Sequence, residues 1–382
     1  ETGLYFFETD GDARLIAKLG GTIVDSLLVE NTFYYIENEH KLYSVELKEE
    51  PMPHLLASGL YGQDKDYSIE KIISADSKYW LYINGKNVVF EGNVKRGPNN
   101  DSGYYDSIDI APFLKKGENS ISALVWYWGD EKNYSYNSSG QGGFIFEAKN
   151  EDITILSDKT WKVKKDCAYK DKKSHQPNYR LPEHSIYYDA RESLGDWTNV
   201  NFDVSSWDNA TEYDIGGNGI YGKLYPRGIP LLKDYGLKNY ENSEKYENYT
   251  VNKISGEKIT VNIPYNAQLT PYLKIKATDG KKIRITTENT LIGAVSTTYI
   301  TKDGEQEFES LGWINGEHIT YEIPDGVTII SLMYRETGYD SDFCGDFKCD
   351  DEFLNSLWQK SLRTLYVTMR DNYMDCPDRE RA

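Results

Sequence analysis

Lys78-Tyr79-Trp80-Leu81-Tyr82-Ile83-Asn84-Gly85-Lys86-Asn87-Val88-Val89-Phe90 is the stretch whose reading decides the fold. Its first six residues are mostly aromatic and β-branched, types that pack well on a pleated sheet. Asn-Gly follows, the pair that best tolerates the left-handed backbone of a two-residue hairpin turn. A second apolar run begins at once. The stretch therefore predicts two antiparallel strands joined by a tight turn.

Similar signals lie on either side. A Gly/Pro/Asn loop, Arg96-Gly97-Pro98-Asn99-Asn100-Asp101, leads to an expected strand Ser107-Ile108-Asp109-Ile110. A turn through Lys115-Lys116-Gly117-Glu118-Asn119 precedes another, Ser120 to Trp126. Ile153 to Leu156 and Lys159 to Val163 continue the series. Short strands at this spacing, without a helical period between them, predict a jelly-roll β-sandwich over residues 60–215. From 216 to 349 the strands go on: Lys258 to Ile263, Tyr272 to Lys276, Lys282 to Thr286 and Val327 to Tyr334. The first three largely alternate apolar and polar residues, as a sheet with one buried face requires, and a second β-sandwich is expected. Residues 1–58 carry two similar phrases. Leu4 to Glu8 runs into Arg14 to Ala17, and Phe33 to Glu37 runs into Lys41 to Val45. Each reads as a hairpin, and the repetition suggests a propeller or solenoid, although two copies are too few to stand alone. Pro51 and Pro53 mark an expected linker.

At Asp350 the period changes. Phe353, Leu357, Trp358, Ser361, Leu365 and Met369 fall on one helical stripe. Asp350 or Asp351 is placed to cap the helix, with Glu352 near its positive end. One amphipathic helix after so many strands needs a partner surface.

Composition narrows the function. The chain has 382 residues, room for two or three domains at about 100–200 residues each. Asp and Glu outnumber Lys and Arg by 61 to 43, a net charge of −18. Such a surface gains no counterion-release affinity for nucleic acid, which is excluded as a partner. No apolar run approaches the roughly 18 residues of a membrane span. No leader segment is visible, and a start at Glu1 points to a processed, engineered or cut terminus. Extracellular and cytoplasmic locations both stay open. The four cysteines, Cys167, Cys344, Cys349 and Cys376, lack metal-ligand spacing and are expected as free buried thiols. The 32 tyrosines and 8 tryptophans suit packing on sheets, and also stacking on sugar rings.

The tail reads Arg370-Asp371-Asn372-Tyr373-Met374-Asp375-Cys376-Pro377-Asp378-Arg379-Glu380-Arg381-Ala382. Four carboxylates and three arginines are crowded here, and Pro377 suits the first turn of a helix. Glycoside hydrolysis uses such groups: one carboxylic acid protonates the leaving oxygen, and a second carboxylate attacks or activates water. Arginines hold carboxylates in fixed geometry and donate to hydroxyls. A solvated charged turn would have the same composition.

The tail resembles the Asp-Cys-Pro-x-Arg-Glu-Arg signature that opens the catalytic (α/α)6 barrel of glycoside hydrolase family 78, the bacterial α-L-rhamnosidases. Cys349 to Trp358 resembles the family's helix entering the barrel. The phrases Tyr79 to Lys86, Asp109 to Asn119, Tyr187 to Glu192 and Ser206-Trp207-Asp208 resemble its N-terminal jelly roll. The likeness covers roughly residues 65–382. It implies a mainly β chain of tandem β-sandwich modules, then the start of a truncated barrel at 350–382. It also implies an inverting enzyme that removes terminal α-L-rhamnosyl residues from a glycan or glycoside. Glu380 falls at the general acid; Asp375 and Arg379 fall at groups that contact the bound rhamnose. The family's general-base Glu comes much later in the barrel, so the fragment alone is expected to be inactive. No cofactor is implied.

The β-modules leave a second function class open, a non-catalytic carbohydrate-binding protein. Its candidate contacts are Trp126, Tyr127 and Trp128, with Asn99, Asn100 and Asp101 as sugar or Ca²⁺ ligands. The same residues also read as core aromatics and a turn. A structural repeat protein, suggested by residues 1–58, is a third.

Overall fold

Asn84 and Gly85 both adopt the left-handed backbone that the turn demands, with φ of 53° and 81°. They join Lys78–Ile83 to Lys86–Gly92, and Ile121–Trp126 pairs on the other side of Lys78–Ile83. Asn84 also ties the turn to its surroundings. Its Nδ2 donates to the Phe113 carbonyl at 3.0 Å, and its Oδ1 accepts from the Ser120 amide at 3.0 Å.

This computed structural model describes residues 72–93, 102–127, 142–149, 154–170, 185–213, 223–288, 295–341 and 343–370, with Tyr373 and six strands within the first 58 residues. The chain forms two compact units, Glu1–Glu70 with Ala148–Thr154, and Lys71–Glu147 with Ile155–Ala382.

In the first unit Gly3–Phe7 pairs antiparallel with Ala13–Lys18. Ile23–Val29, Thr32–Glu37, Lys41–Glu46 and His54–Ser58 form an antiparallel meander. Both expected hairpins are present. Two further strands join them, one of them directly after Pro51 and Pro53, where a linker was expected.

In the second unit the three-stranded sheet of the opening hairpin faces a second sheet, in which Gly143–Lys149, Ile72–Asp76, Ser102–Ser107 and Lys223–Pro226 lie side by side. The contact is made by Tyr79. Its ring packs edge-on against Phe144 at 5.8 Å, and its hydroxyl donates to Asp106 Oδ2 at 2.8 Å. The expected strand at 107–110 is displaced toward the N-terminus, to Ser102–Ser107. Pro112, which has no amide hydrogen, sits instead in a 3₁₀ turn, Ala111–Phe113, whose first amide donates to Asp109 Oδ1 at 3.0 Å.

Thr154–Leu156 edges that second sheet, Lys162–Val163 pairs with Asp208–Asn209 in a small sheet of their own, and nine further strands form one sheet built around Glu257–Ala277. Two separate strands were expected there. The chain instead runs through as one strand of 21 residues, and Pro264 falls at a register shift between Asn262 and Ala267, where the ladder needs no proline amide. One edge pairs first with Ile314–Ile323 and then with Gly304–Glu309; the other pairs with Thr328–Gly338. The sheet therefore curls about one core, which includes Leu269, Leu273, Ile285, Ile319, Tyr321 and Ile329. Each such aliphatic side chain contributes about 1.5–3 kcal/mol by leaving water. Of the buried tyrosines in it, Tyr240 and Tyr321 join their hydroxyls at 2.9 Å, and Tyr299 donates to Gln306 Oε1 at 3.0 Å.

A helix, α1 (Glu352–Val367), follows the sheet. Of the two candidate caps, Asp351 is the one used: its side chain accepts from the Phe353 and Leu354 amides at 2.8 and 3.4 Å. No helix among the described residues is long and apolar enough to cross a membrane. The expectation of buried cysteines is corrected. Cys167 and Cys344 are exposed and Cys349 is half-buried, because all three lie in connecting segments outside the cores; Cys376 lies outside the described residues.

Candidate functional site

α1 docks on the curled sheet through a polar and aromatic face. Arg363 donates from Nε to the Asn266 carbonyl at 2.6 Å and from Nη2 to Glu336 Oε1 at 2.8 Å. Its guanidinium also lies 4.1 Å from the ring centre of Tyr265 and 5.3 Å from that of Tyr366. One turn on, the Tyr366 and Tyr235 hydroxyls meet at 2.8 Å. Burial pushes the Tyr366 phenol well above its ordinary value, and its bond to Tyr235 adds to this.

The anion that organises this seam is Glu336, whose side chain is 3% exposed. Besides Arg363 it accepts from Lys238 Nζ and from the Tyr265 hydroxyl, each at 3.1 Å. A carboxylate taken this far from water persists only with such a set of donors. Gln268, Thr337, Gly338, Val367 and Met369 complete the lining, and the side chains leave no room for a water molecule.

Beyond the end of α1 the buried charge continues. Arg370, 2% exposed, donates from Nη1 to Gln268 Oε1 at 2.8 Å and to the Thr337 carbonyl at 3.1 Å. Its guanidinium stacks 5.5 Å from the Trp313 ring centre. Its Nη2 is paired with Glu91, whose other carboxylate oxygen is paired with Lys78. All three ions are at most 2% exposed. Glu91 and Lys78 come from the opening hairpin. The turn of chain that presents Glu91 is an unusual one: Glu91 and Asn93 both have left-handed φ, 65° and 47°. Gly92 between them lets Tyr79 close over the backbone, since a Cβ there would lie 2.3 Å from Tyr79 Cζ.

Of the candidate sugar contacts singled out from sequence, Trp126 and Tyr127 are described, and both are half-buried. Trp126 is stacked 6.3 Å from Trp80 and packed against the core of the curled sheet. Trp128, Asn99, Asp101, Asp375, Arg379 and Glu380 lie outside the described residues. Among the described residues no group of His, Cys, Asp and Glu is arranged to hold a metal.

The apolar stripe of α1 is not the docking face. Phe353 is 72% exposed, and Leu354, Leu357 and Leu365 are also exposed. The docking residues Arg363, Tyr366 and Arg370 were missed as a group. Their spacing of three and four is itself a helical stripe, but a mixed one that hydrophobic periodicity passes over.

Residues 72–223 match the family model for the α-L-rhamnosidase N-terminal domain. An α-L-rhamnosidase from Formosa agariphila is 25% identical over 348 residues, covering 80% of this chain and 33% of that protein. Among solved structures, the GH78 family rhamnosidase of Bacillus sp. GL1 is similar with a TM-score of 0.65 at 14% identity, covering 82% of this chain and 56% of that one. The α-L-rhamnosidase from Dictyoglumus thermophilum gives 0.61 at 17%, covering 92% and 44%. That from Streptomyces avermitilis, solved with L-rhamnose, gives 0.59 at 14%, covering 89% and 39%. The chain thus spans about a third of the curated relative, and its likeness to the solved structures is one of fold.

Proposed function

We propose, for a chain that carries the N-terminal region of a family 78 glycoside hydrolase, that it is the front of an enzyme removing terminal α-L-rhamnosyl residues from a glycoside. In this reading residues 60–215 are a jelly-roll module, 216–349 a second sandwich, and 350–382 the opening of an (α/α)6 barrel.

One observation carries the proposal beyond the fold. The stretch Asp375-Cys376-Pro377-Asp378-Arg379-Glu380-Arg381 follows, after residues 368–374, a helix that docks by its polar face and leaves Phe353, Leu354, Leu357 and Leu365 uncovered. An apolar stripe of that kind suits further helices packed over α1.

Glu380 then protonates the glycosidic oxygen as the aglycone leaves, and Asp375 and Arg379 hold the rhamnosyl hydroxyls. A second carboxylate, later in the barrel, activates water on the opposite face, and the product is released with inverted configuration. In this reading turnover needs that second carboxylate as well as Glu380, because an acid without its base completes neither half of the displacement. The experiment is to incubate the longer polypeptide with an aryl α-L-rhamnoside and follow the first-formed sugar by NMR. β-L-Rhamnose as the first anomer is the expected result; no release, or α-L-rhamnose first, contradicts the reading.

A further inference from the structure

The ion cluster Lys78–Glu91–Arg370 joins parts of the chain that are 279 residues apart. Within the opening hairpin Lys78 alone would neutralise Glu91. The second pairing, to Arg370, adds nothing that the hairpin needs. Arg370, for its part, already has Gln268, the Thr337 carbonyl and the Trp313 ring, but none of these is an anion. Glu91 is its only carboxylate partner among the described residues. The backbone is bent to supply it: a glutamate at φ 65° occupies a region that L-residues with long side chains seldom adopt, and such departures gather where a side chain must be aimed.

We infer that Glu91 is a positioning residue. Held by Lys78, it fixes Arg370, and with it the point and direction from which the chain departs into Asp371–Ala382. The front module then does more than precede the barrel, since it sets where the tail begins. Removing the charge of Glu91 leaves the Arg370 guanidinium buried without an anion, and the local remedy is for the end of α1 to lift toward water.

The inference rests on the functional reading only for what the tail does. Its test involves no substrate, so a failure of rhamnoside hydrolysis and a failure of this coupling are read separately. Hydrogen–deuterium exchange of the 382-residue chain is compared for wild type, Glu91→Gln and Glu91→Asp. Peptides covering 366–373 should exchange at least about tenfold faster in Glu91→Gln, with the strand Glu257–Ala277 unchanged. Glu91→Asp, which keeps the charge, should recover most of the protection. Arg370→Gln gives the same coupling from the other end and should loosen Lys86–Gly92, because coupling between two sites is reciprocal. If Glu91→Gln does not fold, this reciprocal effect decides. Equal exchange at 366–373, or acceleration spread evenly over the curled sheet, overturns the inference.

Discussion

The Tyr366 hydroxyl occupies the space that a side chain at Gly338 would need: a Cβ built there lies 2.4 Å from Tyr366 Oη and 2.7 Å from Cζ. The last residue of a sheet strand is thus a glycine because a tyrosine of the next helix lies over it. Gly338→Ala should push Tyr366 off Tyr235 and destabilise the chain by about 1–3 kcal/mol, as overpacking does. Tyr366→Phe, which loses the 2.8 Å contact with Tyr235 but keeps the ring, should cost about 1 kcal/mol. Urea unfolding of both variants checks the order.

Glu336 and Glu322 offer a contrast in burial. Glu336 is 3% exposed and serves Lys238, Arg363 and Tyr265, whereas Glu322 pairs with Lys258, itself 74% exposed. Glu336→Gln should lower stability by about 3 kcal/mol, since two cations lose their anion at a buried seam. Glu322→Gln should change it by less than about 0.5 kcal/mol. Similar losses for the two would contradict the role given to Glu336.

Alkaline pH should unfold the chain well before the arginines titrate. Burial pushes the phenols of Tyr79, Tyr169 and Tyr240 well above their ordinary value, and that of Tyr82 up to about 12, with Glu309 adding to the last. The folded state keeps protons that the unfolded chain releases near pH 10. Their contribution is therefore complete below about pH 10 and is lost as pH rises through the folded values. Unfolding free energy should fall between about pH 10 and 12, and a flat profile there would contradict the burial of these hydroxyls.

The opening hairpin, the helix cap and most strands were legible in sequence because each depends on local chemistry: Asn84-Gly85 for the turn, Asp351 for the cap, alternation for Lys282–Thr287. Two things were not. Lys258 to Ile263 and Tyr272 to Lys276 read as separate strands, although a bulge at Pro264 lets one strand run through, and the pairing of Ile314–Ile323 with residues on both sides of that bulge reveals it. Lys78, Glu91 and Arg370 were invisible as a cluster because their meeting depends on tertiary structure, and each alone reads as a surface charge. The tail signature stood out for a different reason, a match of six residues over seven positions to a family pattern, which its charges alone could not supply.

The uncovered stripe gives a prediction about context. Leu357→Ser should change the stability of the 382-residue chain by less than about 0.5 kcal/mol, since Leu357 is exposed. In the longer polypeptide, where further helices cover α1 in the proposed reading, the same change should cost about 2–3 kcal/mol. Equal effects in the two contexts would remove the support that α1 lends to a barrel.

The most direct measurement is the rate at which the longer polypeptide and its Glu380→Gln variant release L-rhamnose from an α-L-rhamnosyl disaccharide, whose leaving alcohol must be protonated. The account predicts that the wild type is active and that Glu380→Gln loses at least about a hundredfold in kcat with its fold intact, the contribution of a general acid. Undiminished hydrolysis by Glu380→Gln would contradict it.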